Sequence, residues 1–444
     1  MLAVSVQSLF ILLFPLQWIT IVDIGGFSLK VAHLSVIALS LLAWATTFSG
    51  RGKVQINPFY FLFMLVLVIQ LGSLMWSEDV AAGLSAVARS FFYLAISLGI
   101  YFWFVKADMG RFSFHASRLF PASVAVLYAL IIISFAIAGQ NFFAVVFEAL
   151  FSGNPNALQY HVFYKLFNDY SLAPSEMENY SSAARHTIAL SLVFLSIIAS
   201  VALRQVTPAT RILIFASMLA VLFFLAISMS RSAVFSLLVP IVFLLHLVVL
   251  RRPGPLVLMG VFGLLIGLLA VSVASVSDST GGVTEVLQGK FIDDIVNNPR
   301  VSDFGDVIDN ISENPWLGAG IGTPIEGMFV RFDEAHNFFF HVWHGAGIAG
   351  ALAVLALGAH LVSVMIVTYR AGLRADSFEI ACIYLIVVYA LSSSLLRMSV
   401  AGGGDVSLSE WCMLAIGLAF ADRLNKPERR KSGGANSTSE AAFA

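Results

Sequence analysis

Apolar runs about twenty residues long recur along this 444-residue chain, and each is long enough to cross a bilayer's roughly 30 Å hydrocarbon core as a helix. They lie near 2–22, 29–48, 58–76, 84–105, 118–138, 187–203, 212–229, 233–250, 255–275, 345–369, 377–396 and 408–422. A chain that is 59% hydrophobic and 11% charged has too few charged groups to cover a soluble globule of this size. The expected fold is an all-α polytopic membrane protein of about twelve transmembrane helices. Cys382 and Cys412 both sit inside apolar runs and read as small buried hydrophobes, not as a disulfide or metal ligands.

Orientation follows from the basic residues. Arg51 and Lys53; Lys106, Arg111 and Arg118; Arg204 and Arg211; Arg251 and Arg252; Arg370 and Arg374; and the tail with Arg423, Lys426, Arg429, Arg430 and Lys431 all fall on one side if twelve spans are counted. That is sixteen of the 25 basic residues, so this side and both termini are expected to be cytoplasmic. Leu2 to Val22 lacks a preceding basic stretch and reads as a retained first span. Residues 1–425 form one transmembrane domain by this reading, and the polar end, 426–444, is a disordered cytoplasmic tail.

The opposite face then holds two larger segments, about 139–186 and 276–336, expected to be periplasmic. The second carries eleven carboxylates, from Asp278 to Glu334, against Lys290, Arg300 and Arg331. Its acidity argues against a cationic funnel for a polyanion, and most of these carboxylates read as solubilising groups. Inside it, Asn314-Pro315-Trp316-Leu317-Gly318-Ala319-Gly320-Ile321-Gly322-Thr323-Pro324 is rich in turn formers and has the composition to present backbone N–H groups to a ligand.

Arginine is scarce on that face. Arg231 sits in the short Ser228-Met229-Ser230-Arg231-Ser232-Ala233 link, Arg185 opens the sixth span, Arg397 closes the eleventh, and Arg331 precedes His336 by five residues. Taken singly, each has the plainer reading of a helix-end anchor. Snorkelling arginines belong mainly on the cytoplasmic side, however, and a planar guanidinium suits a diphosphate by bidentate hydrogen bonding. Arg89, inside the fourth span, is a further candidate to face a polar cavity. His336, where the acidic loop re-enters an apolar run, has the chemistry of a general base, although a histidine capping a helix start beside Asn337 is the structural alternative. Glu326 is a second, weaker acid or base. A metal held by His336, His341 and His344 is disfavoured, because no Cys or carboxylate stands at matching helical spacing. Trp316, Phe332 and Trp343 offer flat aromatic faces for a ligand to pack against.

His336-Asn337, nine residues, then Gly347-Ile348-Ala349-Gly350 resembles the signature of the O-antigen ligase and polysaccharide polymerase superfamily. Ser230-Arg231 and Pro315-Trp316-Leu317-Gly318-Ala319-Gly320 are similar to two further pieces of that family, in the same order, over about residues 185–350. The resemblance implies a GT-C-type glycosyltransferase of the bacterial inner membrane, working at the periplasmic face without metal, nucleotide sugar or other cofactor. Its donor would be an undecaprenyl-diphosphate-linked glycan and its acceptor a lipid-linked or lipid A-core sugar. A chain-length regulator is a possible partner; nucleic acid is not. Arg231 would hold the diphosphate and His336 would activate the acceptor hydroxyl or assist the leaving group. Arg185, Arg331, Arg397 and Asn337 join the binding set on electrostatic grounds and by adjacency. A repeat-unit polymerase is favoured over a ligase, whose phosphate-rich acceptor fits poorly with an acidic loop. A transporter or flippase would show paired half-repeats and midplane charges, and no such duplication is visible. A structural membrane subunit is disfavoured by the placement of arginine and histidine.

Overall fold

The computed structural model of the protein describes residues 2–13, 20–24, 27–49, 55–107, 109–137, 141–144, 206–228, 299–325, 338–374 and 406–425. Their elements in order are α1 (Leu2–Leu13), β1 (Thr20–Ile24), β2 (Phe27–Lys30), α2 (Val31–Ser49), α3 (Pro58–Ser73), α4 (Val80–Lys106), α5 (Met109–Ile137), α6 (Pro208–Ser228), α7 (Pro299–Glu313), α8 (Phe338–Arg374) and α9 (Val406–Asn425). Four helical stretches among them are long and apolar enough to cross a membrane: Val31–Ser49, Pro58–Trp76, Val80–Lys106 and Phe338–Ala371. Helices α5, α6 and α9 occupy three more of the expected spans. The spans expected near 187–203, 233–250, 255–275 and 377–396 lie outside the described residues, as does the 426–444 tail.

The first span differs from expectation. Helix α1 is described over Leu2–Leu13, and the sequence that follows carries Pro15, a residue that disfavours helix immediately before it. Thr20–Ile24 instead pairs antiparallel with Phe27–Lys30, Asp23 opposite Ser28 and Ile24 opposite Phe27. β-branched residues before a Gly25-Gly26 pair explain the hairpin, a turn chemistry that the apolar count over 2–22 conceals.

In lipid there is no hydrophobic drive between helices, so cohesion falls to close packing and interhelical hydrogen bonds. Helix α8 packs on α3, α9 and α2 pack on α4, and α1 and α6 flank α5. Trp411 of α9 is nearly inaccessible and meets Phe63 of α3 edge-on at 4.6 Å and Phe59 at 5.9 Å between ring centroids. Such ring pairs are worth about 0.5–1.5 kcal/mol each beyond their contact area. Between α2 and α4, Ser40 donates to the Ile96 carbonyl at 3.2 Å, and the Trp44 indole donates to Ala95 at 3.1 Å.

One end of the bundle is tied by a polar knot. Asn57 caps α3, its Oδ1 accepting from Phe59 N at 3.0 Å ahead of Pro58, a residue pre-shaped for a helix start. The same Oδ1 meets His360 Nε2 of α8 at 2.9 Å, and Asn57 Nδ2 donates to Asp422 of α9 at 3.0 Å. The Tyr101 hydroxyl of α4 reaches the other Asp422 oxygen at 2.5 Å. Four helices thus share one hydrogen-bonded cluster, which satisfies a half-buried carboxylate that would be costly if left unpaired.

Candidate functional site

The opposite end of α3 runs through a single tight turn, Leu74–Trp76, into the link that starts α4, where Asp79 accepts from Ala82 N at 2.8 Å. The glycine-rich segment 314–325 docks on this link. Ile321 N donates to Ser73 Oγ at 3.2 Å, Ser77 Oγ donates back to the Ile321 carbonyl at 2.6 Å, and Glu78 N donates to Thr323 Oγ1 at 3.2 Å. Three small hydroxyl residues therefore clamp backbone to backbone, which allows a closer approach than longer side chains permit.

Helix α8 is not one continuous rod. Gly347 has φ 63° and ψ −159°, a region open essentially to glycine alone. The chain folds back there. A Cβ placed on Gly350 would lie 2.8 Å from Val342 Cγ1, although eight residues of straight helix separate two groups by about 12 Å. Residues 338–346 form a short arm and 348–374 a long one, side by side, with Gly347 at the tip. Phe338, two residues after His336 in sequence, stacks on Phe63 at 5.9 Å, whereas His360 of the long arm reaches Asn57. In the family-like spacing, Gly347 therefore makes the turn and Gly350 lets the arms touch.

Breaking the helix frees backbone groups, and the 314–325 segment takes them up. Ala319 N donates to the His344 carbonyl at 2.7 Å and Gly320 N to the Gly345 carbonyl at 2.9 Å. Ile348 N, which would seek His344 in an unbroken helix, donates to the Trp316 carbonyl at 3.2 Å. The fit is tight enough that a Cβ on Gly347 would sit 2.1 Å from that carbonyl oxygen. This corrects the expectation that the glycine-rich segment offers its N–H groups to a ligand. The amides of Ala319, Gly320 and Ile321 are already committed to His344, Gly345 and Ser73.

Helix α7 buttresses the arrangement. Its Val307 and Ile311 form a buried cluster with Ile325, against which Phe340 and Trp343 of the short arm pack. Trp343 Nε1 donates to the Pro315 carbonyl at 3.1 Å, so this indole is held by the fold. Trp316 is 75% exposed and keeps a free aromatic face. On the outer side of α7, Asp309 and Glu313 are exposed, as groups that keep a loop solvated should be.

Of the sequence-derived candidates, Trp316 lies at the hairpin tip through its backbone carbonyl. Arg89 is half-buried on α4, nine residues or two and a half turns from Val80, which is deeper than the expected start of the span near residue 84 implied. Among the described residues it has no ion pair. His336, Asn337, Glu326, Arg331, Arg231, Arg185, Arg397 and Phe332 lie outside the described residues. Sequence reasoning missed Ser73, Ser77 and Thr323, the clamp between the two loops. It also missed Gln70, whose signal is a Gln and a Ser three apart in an otherwise apolar helix, on one face.

The family model described as O-Antigen ligase matches residues 215–355, a stretch that holds Arg231, Trp316, Glu326, Arg331, His336, Asn337 and both hairpin glycines. No curated protein matches the chain. Over residues 215–355 the chain is thus similar to the O-antigen ligase family, and four of its described helical stretches are long and apolar enough to cross a membrane.

Proposed function

We propose that the protein is a membrane glycosyltransferase that moves an undecaprenyl-diphosphate-linked glycan onto a sugar acceptor at the periplasmic face of the inner membrane, as a repeat-unit polymerase. The observation that carries this reading is the docking of two family-like pieces on one another. The Pro315–Gly320 segment seals the tip of the hairpin that His336-Asn337 introduces in the sequence. A fixed hairpin is what a base needs if its reach to a hydroxyl is to stay within hydrogen-bond range through the reaction.

In this mechanism His336 takes the proton from the acceptor hydroxyl as its oxygen attacks the anomeric carbon. The bond from that carbon to the diphosphate breaks, and the lipid diphosphate leaves with the electron pair. Arg231, helped by Arg185, Arg331 and Arg397, neutralises the charge that develops on it. Asn337 orients the site, Glu326 and Arg89 are further polar candidates, and Trp316 supplies a sugar platform. No metal is required. The twelve-span, GT-C-like layout with both termini cytoplasmic belongs to the same proposal, as does a chain-length regulator as partner.

A ligase that passes finished glycan to lipid A-core is the second reading, and it shares every residue named above. The acidic segment, including the exposed Asp309 and Glu313, favours the less phosphate-rich acceptor of a polymerase. A flippase would use the helices without the base. The discriminating experiment supplies purified protein in proteoliposomes with a lipid-linked repeat unit. Growth of lipid-linked chains in the wild type, and its loss in His336→Ala and Arg231→Ala, support the proposal. Equal growth in all three sinks it.

A further inference from the structure

Gln70 lies on the buried strip of α3, between Phe63 and Ser73 on the same face. It is 1% exposed, yet neither its amide nitrogen nor its amide oxygen has a hydrogen-bond partner among the described residues. Buried amides are nearly always paired, so an orphan on both atoms points to something that belongs there. The short arm of α8 carries a matching orphan. His341 Nε2 is buried without a partner, and His341 falls between Phe338 and Gly345 along that arm.

The two strips are pinned together at both ends. Phe338 stacks on Phe63 at the inner end. At the outer end Ile321 bridges them, bonded to Ser73 on one side and lying 3.3 Å from where a Cβ of Gly345 would stand on the other. Gln70 and His341 thus sit in the same interface between the same two anchors. An amide supplies a donor and an acceptor, and a ring nitrogen supplies either according to tautomer. The complement to this pair is a small hydroxylic group with at least two hydrogen-bonding sites.

We propose that Gln70 and His341 hold a buried water between α3 and the short arm, and that Gln70 is thereby a positioning residue for the reacting histidine that precedes this arm. The functional half of the proposal rests on the glycan-transfer reading; the water site does not. A hydrophobic residue at position 70 would fill the strip as well, so the polar choice has to be explained by what it fixes. A bridging water sets the rotation of the short arm about its own axis, which apolar packing alone leaves loosely defined.

The test combines a high-resolution cryo-EM map of the full chain in lipid nanodiscs with turnover of a lipid-linked repeat unit. The expected map shows one ordered water within about 3 Å of both a Gln70 amide atom and His341 Nε2. Gln70→Leu is expected to lower kcat about tenfold with KM nearly unchanged, while retaining its melting temperature. His341→Gln, which preserves a hydrogen-bonding end, is expected to retain most of the wild-type kcat, and His341→Leu to lose it. A Gln70 amide bonded only to protein groups, an empty dry gap, or an unchanged kcat in Gln70→Leu overturns the proposal. If Gln70→Leu fails to fold, the map and the two His341 variants decide. A wild type that turns over no lipid-linked glycan overturns the glycan-transfer reading instead, and the water is then judged from the map.

Discussion

Ile348 donates its backbone N–H to the Trp316 carbonyl at 3.2 Å, across thirty-two residues of sequence, in place of the bond to His344 that an unbroken helix would give it. The His344 carbonyl is compensated in turn by Ala319 N at 2.7 Å. The exchange lets a helix reverse direction without leaving the freed backbone groups unpaired, as buried backbone polar groups require. It also makes the 314–325 segment and the hairpin one unit.

Gly347→Ala should therefore be among the most damaging single substitutions. The added Cβ would require a forbidden backbone geometry and would collide with the Trp316 carbonyl. A loss of about 3 kcal/mol or more is expected in melting experiments on detergent-solubilised protein. Gly358→Ala, also in α8 but with nothing within 4 Å of the new methyl, should be neutral or stabilising by up to about 1 kcal/mol.

Ser73→Ala removes the acceptor for Ile321 N and should cost about 1–2 kcal/mol, concentrated in the docking of 314–325. Limited proteolysis is the direct reading. Cleavage within that segment should accelerate in Ser73→Ala, and more so in Ser73→Ala with Thr323→Val, while the helices stay protected.

Asn57→Ala strips the cap from α3 and breaks the contacts to Asp422 and His360 at once. A loss of about 2 kcal/mol follows from one cap and one buried charge-assisted bond. Because this knot lies at the far end of α3 from Ser73, glycan transfer per folded molecule should be unchanged. Transfer falling faster than the folded fraction would show that the knot reaches the site.

Much of the fold could be read from the chain because apolar runs and helix length obey the same bilayer thickness, as α2, α3 and α4 show. What could not be read was local. The hairpin of Thr20–Lys30 hid inside an apolar count, and the reversal at Gly347 hid inside one continuous hydrophobic run, because hydropathy is blind to φ. The signature spacing marked Gly347 and Gly350 without saying that one turns and the other touches. The 314–324 segment was expected to present backbone N–H groups to a ligand, but those of Ala319, Gly320 and Ile321 are taken up by the chain itself. Gln70 carried a legible signal, a polar residue on the buried face of an apolar helix, but only the structure shows that its amide is left unpaired among the described residues.

Central to this account is glycan transfer by a polymerase. The most direct measurement deletes the gene in its host and separates the extracted glycolipids on a gel. Single repeat units, on core or still on the carrier lipid, are the predicted result, with full-length polymer restored by the wild-type gene and not by His336→Ala. Full-length polymer stranded on the carrier lipid above bare core would transfer the assignment to a ligase, and an unchanged glycan pattern would contradict glycan transfer altogether.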